Sequence, residues 1–250
     1  MNIKNFFEKH SNIALALSGG ADSAYLLYAA KKYSKRVKAY YVKTAFQPLF
    51  ELEDARRLAR EQDAELEIIE LDILSNKLVA SNPSDRCYHC KKAIFEAIVS
   101  AARRDGLDTV IDGTNASDDL SDRPGIRAIR ELGVISPLRD CGITKTELRR
   151  LSKEVSLFTH DKPAYACLAT RIPGGTEITA EKLDYTEKAE DYLFALGFKD
   201  FRVRYREGAA LIQLNRSDFA LFSVNSENIF RELKQYYKAV YLDLEVRNEN

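Results

Sequence analysis

Asn12-Ile13-Ala14-Leu15-Ala16-Leu17-Ser18-Gly19-Gly20-Ala21-Asp22-Ser23 is the stretch that decides how this chain folds. Asn12 to Leu17 is a short apolar run that stops abruptly at Ser18-Gly19-Gly20, as a buried parallel strand does. A helix is expected to follow from about Asp22 to Lys32, turning Tyr25, Leu26, Tyr28 and Ala29 toward the core. Gly19 and Gly20 can take backbone angles barred to other residues and let the chain approach a ligand closely. Successive N–H groups then form an anion-binding nest at a helix N-terminus, where the helix dipole favours phosphate. Ser18 and Ser23 add hydroxyl donors, and Asp22 is placed to hold Mg²⁺ bridging the phosphates. No Gly-Lys-Ser/Thr follows, so this is not a Walker A loop. The plain alternative is a glycine turn that only joins a strand to a helix.

Outward from this loop, Val37 to Thr44 reads as a second strand, Pro48 to Gln62 as a charged helix, and Ala64 to Leu71 as a third strand. After the Asn82-Pro83 turn, Tyr88 to Arg104 has helical periodicity, and Thr109 to Asp112 reads as a fourth strand. Thr144-Lys145-Thr146-Glu147 has capping-box spacing and opens a helix to about Val155. Strands alternating with helices of this length predict an α/β fold, a parallel sheet with helices on both faces. The character changes between Pro163 and Thr179. Beyond lie a long helix (Thr179 to Leu196), strands Phe201 to Tyr205 and Ala209 to Leu214 around Gly208, further helix, and a final strand Ala239 to Val246. Residues 1–165 are therefore read as the phosphate-loop domain, and 166–250 as a small C-terminal α+β domain for substrate binding or oligomerisation.

Composition narrows the function classes. Among 250 residues, Lys+Arg and Asp+Glu both total 38, so the net charge is zero. That balance argues against a broad nucleic-acid footprint, which needs surplus basic charge. No stretch approaches the roughly 18 apolar residues of a membrane span, and Met1 to Glu8 lacks the apolar core of a signal peptide. A cytoplasmic protein without a membrane partner is expected, and its four cysteines are then read as chemical or metal-binding residues.

Cys87-Tyr88-His89-Cys90 sits at the start of a helix, where CxxC lowers thiol pKa and points both sulfurs the same way. This suits metal, cluster or redox work. Cys167 lies at the domain junction. Cys141 sits in a turn, carries no motif and is read as structural. A structural zinc site completed by His160 or Cys141 is the competing reading of the CxxC, but no second CxxC or spaced Cys/His pair exists. His89 is read as a helix-surface residue.

The loop Ser18-Gly19-Gly20-Ala21-Asp22-Ser23 resembles the PP-loop of the ATP pyrophosphatase superfamily, which implies adenylation of a substrate oxygen with release of pyrophosphate. The resemblance becomes specific through Arg86-Cys87-Tyr88-x-Cys90-Lys91, Asp112-Gly113-Thr114-Asn115, Arg123-Pro124-Gly125, Ser136-Pro137-Leu138 and Cys167-Leu168-Ala169-Thr170-Arg171-Ile172-Pro173. These recur in this order in the LarE family, over nearly the whole chain. The resemblance implies an ATP- and Mg²⁺-dependent sulfur transferase of nickel-pincer nucleotide cofactor assembly. Such an enzyme adenylates a carboxylate of pyridinium-3,5-biscarboxylate mononucleotide and replaces an oxygen with sulfur. It also implies a sulfur donor and a homo-oligomer, in this family a hexamer. In one-cysteine members the residue matching Cys167 surrenders its own sulfur and becomes dehydroalanine; three-cysteine members are thought to hold a [4Fe–4S] cluster. Three thiolates on a cubane leave one iron open for hydrosulfide, whereas sacrifice needs one thiolate and makes the CxxC superfluous. The presence of Cys87, Cys90 and Cys167 together therefore favours the cluster.

Asp112 to Asp119 follow the fourth strand, at the carboxyl edge where ligands bind in such sheets. Asn115 and Asp118 are candidates for ATP and Mg²⁺; the alternative is a solvated loop of turn formers. Arg171, Arg202 and Arg204 are candidates to clamp a nucleotide substrate's phosphate or the leaving pyrophosphate. Arg202 and Arg204 lie two apart on a strand and face one side, and a solvated strand face is their alternative. Where the family reads Ala-Arg-Ile-Glu, this chain has Ala210-Leu211-Ile212-Gln213, and Pro173-Gly174-Gly175 stands where it reads Pro-Tyr-Gly. Two rival functions remain: a tRNA thiolase, which shares the loop and a three-cysteine cluster, and a nucleotide sensor that binds ATP without turnover.

Overall fold

The structure, a computed structural model, describes residues 2–118 and 124–246. It divides into two compact units, Met1–Ile73 with Asp85–Tyr165, and Leu74–Ser84 with Ala166–Asn250. Among the described residues no helix is long and apolar enough to cross a membrane.

The first unit runs α1 (Ile3–Lys9), β1 (Asn12–Ala16), α2 (Ala21–Tyr33), β2 (Arg36–Lys43), α3 (Leu49–Glu61) and β3 (Glu65–Glu70). In the second unit's inserted segment lies α4 (Lys77–Ala80), after which the first unit resumes with α5 (Arg86–Arg104), β4 (Thr109–Ile111), α6 (Pro124–Glu131), α7 (Pro137–Asp140) and α8 (Lys145–Glu154). The strands order β3-β2-β1-β4 and all pair in parallel, with Leu15 opposite both Ala39 and Ile111. Side chains alternate across such a sheet, and here both faces are buried. Ile13, Leu15, Ala39 and Tyr41 pack with Phe6, Leu26, Leu58 and Leu148 on one face. Ala14, Tyr40 and Val42 pack with Phe95, Ile98 and Ile129 on the other. The doubly covered parallel sheet expected from the sequence is thus present. Thr144 caps α8 by accepting from the Glu147 amide at 3.3 Å. The Glu147 carboxylate bonds Arg150.

The second unit adds α9 (Ala180–Ala195), β5 (Phe201–Arg206), β6 (Ala209–Leu214), α10 (Phe219–Leu233) and β7 (Ala239–Leu242). β5 and β6 form a hairpin whose two loop residues, Glu207 and Gly208, have φ of +48° and +87°. Both signs match a type I′ turn, whose twist suits flanking strands. β7 adds parallel to β6, and Leu193, Phe198, Phe201, Val203, Ile212 and Leu233 fill the core. β7 ends at Leu242 rather than continuing to Val246, because the Asp243 carboxylate accepts from the Glu245 amide at 3.0 Å and turns the chain.

A charged network ties β2 to its neighbours. Lys38 donates to Asp105 at 2.5 Å and Glu67 at 2.7 Å, the buried Tyr40 hydroxyl donates to Asp105 at 2.5 Å, and Arg104 donates to Glu67 at 2.5 Å. Hydrogen bonding from Lys38 holds both carboxyls below their usual range. Burial, with Asp105 adding to it, pushes the Tyr40 phenol up. A depressed carboxyl contributes stability above its unfolded pKa and loses it as pH falls through the folded one. In urea titrations Lys38→Met should therefore be less stable than the natural chain near neutral pH. That gap should close as pH falls through and below the ordinary carboxylate range; a gap independent of pH would refute the assignment.

Candidate functional site

At the carboxyl end of β1 the Leu17 amide still donates to the Tyr40 carbonyl at 2.9 Å, and then the chain breaks into the loop. Gly19 takes φ +75°, and a Cβ there would stand 2.4 Å from the Glu51 carbonyl oxygen in the first turn of α3. Only glycine fits that conformation and that approach. Gly20 caps α2 without a side-chain cap bond. Amides of the first helical turn have no partner within the helix, so they face the ground where an anion would sit. The Ser18 and Ser23 hydroxyls lie 3.0 Å apart. Ser23 Oγ accepts from the Ser18 amide and donates to the Gly20 carbonyl, each at 3.2 Å, so both serines brace the loop.

Asp22, in the first turn of α2, has its two carboxylate oxygens 2.7 and 2.8 Å from Lys145 Nζ. The expected cation-binding carboxylate thus holds a cation of the protein's own. In the sequence Lys145 carries only the signal of a helix cap. The β4 loop carries it there: Asp112, buried, accepts from the Thr114 and Ser136 hydroxyls at 2.6 Å each. A Cβ on Gly113 would lie 3.0 Å from the Ser23 amide nitrogen. Farther along, Ser117 Oγ accepts from the Lys145 amide at 3.0 Å and anchors the start of α8. Asn115 and Asp118 serve this loop's shape. Asn115, buried, accepts from the Ser117 amide, and Asp118 accepts from the Asn115 amide, both at 2.8 Å. Asp119 and Arg123 lie outside the described residues.

A second lysine touches the loop. Lys162 donates to the Gly19 carbonyl at 3.1 Å, pairs with Asp54 of α3, and lies 5.1 Å over the Phe50 ring. No motif marks either lysine; only the fold brings them to residues more than a hundred positions away.

The cysteines fall in both units. Cys87, exposed, and Cys90, half-buried, occupy the first turn of α5. Arg86 Nη2 lies 3.8 Å from Cys87 Sγ, and His89 bonds the Asp85 carboxylate at 3.2 Å. Cys167, half-buried in the second unit, caps the short turn Leu168–Arg171, its carbonyl accepting from the Thr170 amide and hydroxyl at 2.9 and 2.8 Å. Cys141 packs against the core beside α7, where burial raises its thiol pKa. Among the described residues no three His, Cys, Asp or Glu side chains are gathered as a ligand set. His160 bonds the Leu157 carbonyl at 2.9 Å.

The arginines divide. Arg171, expected to clamp phosphate, is 1% exposed and forms a two-point ion pair with Glu190 at 2.7 and 2.9 Å, with further bonds to the Ala166 carbonyl and the Thr170 hydroxyl. Glu190 also accepts from the Val203 amide at 2.9 Å, so this pair fastens α9 to β5. Arg171 is a tie within the unit, not a surface clamp. Arg202 is buried beside Asp200 at 3.5 Å and donates to the Phe201 carbonyl. Arg204, half-buried, donates to Gln213 at 2.5 Å and to the Thr170 carbonyl at 2.9 Å. Gln213 in turn donates to Asp243 at 2.8 Å, which lowers the Asp243 carboxyl pKa. An amide here serves a cation with one end and an anion with the other. A glutamate would set two carboxylates against each other.

A family profile described as "Queuosine biosynthesis protein QueC" matches residues 12–118. A protein of Lactiplantibacillus plantarum named pyridinium-3,5-bisthiocarboxylic acid mononucleotide synthase is 32% identical over 236 residues, 93% of this chain and 85% of that protein. An uncharacterized Synechocystis sp. protein is 39% identical over 217 residues, 85% of this chain and 80% of that one. The tRNA-specific 2-thiouridylase MnmA of Thermotoga petrophila is 27% identical over 192 residues, 60% of this chain and 54% of that enzyme.

Two substitutions test this architecture. Gly19→Ala should cost about 1–2 kcal/mol for the left-handed backbone alone, and more from the Glu51 collision. It should abolish nucleotide binding while far-UV circular dichroism is retained; unchanged binding would refute the close approach. Glu190→Ala should destabilise the protein by about 3–5 kcal/mol in urea titrations, because it leaves a buried guanidinium uncompensated. A loss under about 1 kcal/mol, the worth of an exposed pair, would place Arg171 at the surface after all.

Proposed function

Because this chain belongs to the LarE family of PP-loop, ATP-dependent sulfur transferases, we propose that it makes pyridinium-3,5-bisthiocarboxylic acid mononucleotide or a close relative. ATP is split between its α- and β-phosphates, and sulfur then replaces an oxygen of a substrate carboxylate. The observation that carries this reading is the uncapped N-terminus of α2 behind Gly19, with Asp22 beside it.

The substrate carboxylate attacks the α-phosphorus as the bond to the β-phosphate breaks, and the amides of Gly20 and the first turn of α2 hold the departing pyrophosphate. Mg²⁺ on Asp22 would neutralise phosphate charge. The acyl-adenylate carbon then takes sulfur, and AMP leaves with the bonding pair. Cys167 is the proposed point of delivery. In the sacrificial mode its thiolate attacks the acyl carbon. The Cβ–S bond then breaks with loss of the Cα proton, giving the thiocarboxylate and dehydroalanine. Held by Cys87, Cys90 and Cys167, a [4Fe–4S] cluster would supply an iron site open to hydrosulfide. The CxxC on one helical turn supports this second mode, since sacrifice gives Cys87 and Cys90 nothing to do. Arg204 and Arg202 are the proposed contacts to the substrate's phosphate.

The MnmA relative supports a second reading, thiolation of tRNA. The zero net charge and the smaller share of chain matched favour the small nucleotide.

The deciding experiment supplies anaerobically purified protein with ATP, Mg²⁺, sulfide and pyridinium-3,5-biscarboxylate mononucleotide. AMP and pyrophosphate should form in step with thiocarboxylate over many turnovers, with the polypeptide mass unchanged. Iron and sulfide should be lost in Cys87→Ala, Cys90→Ala and Cys167→Ala but kept in Cys141→Ala. A polypeptide lighter by one H₂S at Cys167 would overturn the cluster, co-purified and thiolated tRNA would favour the second reading, and absence of pyrophosphate would overturn the enzyme.

A further inference from the structure

The phosphate loop is touched by two lysines, and their surroundings differ. Lys162 is held by Asp54, by the Gly19 carbonyl and by the face of Phe50, with its side chain 19% exposed. Its place is fixed. Lys145 is anchored at its backbone, through Ser117 Oγ and the start of α8, but its ammonium bonds the Asp22 carboxylate with the two side chains 31% and 28% exposed. The root is anchored and the head is part-exposed. That head occupies the ground beside the loop where a cation is wanted, which is how Asp22 fits a divalent metal: its carboxylate already accepts a positive charge across both oxygens.

We propose that Lys145 is a further catalytic residue for the ATP reaction, a cation that Asp22 releases to the phosphates when the metal–nucleotide complex arrives. This rests on the ATP reading above. Without ligand, the ammonium neutralises Asp22, and a bare divalent ion must displace it to bind. With nucleotide, the carboxylate turns to the metal and the ammonium pairs with an oxygen of the β- or γ-phosphate. Neither charge is left without a counter-ion in either state. Metal and nucleotide therefore bind together more tightly than either alone, and as the α–β bond breaks Lys145 faces the oxygens that gain charge. No proton changes hands.

Two equilibrium measurements test this without turnover: binding of radiolabelled ATP in excess Mg²⁺, and binding of Mn²⁺ alone followed by electron paramagnetic resonance. Lys145→Met should bind ATP about tenfold or more weakly, the worth of a charge-assisted contact, and Lys145→Arg should recover most of that loss. Nucleotide-free Mn²⁺ should bind Lys145→Met more tightly than the natural chain, because Asp22 no longer holds an ammonium, and Asp22→Asn added to that variant should remove the gain. Thermal melts of each variant check that α8 is retained. ATP affinity unchanged in Lys145→Met would overturn the proposal. Weaker ATP binding with Mn²⁺ binding unchanged would overturn the exchange. A natural chain that binds no ATP with Mg²⁺ fails the ATP reading itself, whatever Lys145 does.

Discussion

Close backbone approach at the carboxyl end of β1 is the constraint on which the rest of the site depends. Gly19 abuts the Glu51 carbonyl on one side, and Gly113 abuts the Ser23 amide on the other. Side chains at either place would hold the phosphate loop away from α3 or from the β4 loop. With both absent, three segments from distant parts of the sequence meet at one edge of the sheet, and the amides of α2 are left facing outward. The two serines brace the loop from within. Rigidity of this kind matters because amides that need no rearrangement stabilise developing charge at little cost.

What the sequence made legible was local. The buried strands announced themselves as apolar runs because both faces of the sheet are covered, and the glycines announced the loop because left-handed backbone needs them. The capping threonine of α8 was legible for the same reason, its bond spanning a single turn. The two lysines were not, since each meets its carboxylate only through the folded sheet. Arg171 shows the opposite failure. As a residue type it suited phosphate, and nothing in the local pattern revealed that Glu190 would neutralise it inside a core. Arginine is chosen for buried pairing and for phosphate by the same planar fork, so its chemistry alone does not separate the two.

The second unit also gives Gln213 a physical sense. Gln213 joins Arg204 to Asp243 through opposite ends of one amide, while Leu211 stands across from Arg204 in the hairpin register. Arg204 thereby keeps its net charge, where a carboxylate at position 213 would have cancelled it. The strand face is tuned as a set, with the turn at Asp243 setting both the end of β7 and the partner that Gln213 needs.

Asn82 carries a consequence for how the polypeptide is made. It is a buried residue at φ +55°, and its amide donates to the carbonyls of Ile172 and Pro173, separated from it by 90 and 91 positions. Its own carbonyl accepts from the Gly175 amide, as that of Ala80 does from Ile178. Leu74–Ser84 therefore belongs to a unit whose remainder leaves the ribosome much later. At roughly 5–20 residues per second, this segment waits for seconds, its polar groups served by water, before its partners in the chain are made. The phosphate-loop half can form during synthesis; the stitch at Asn82 closes only afterwards.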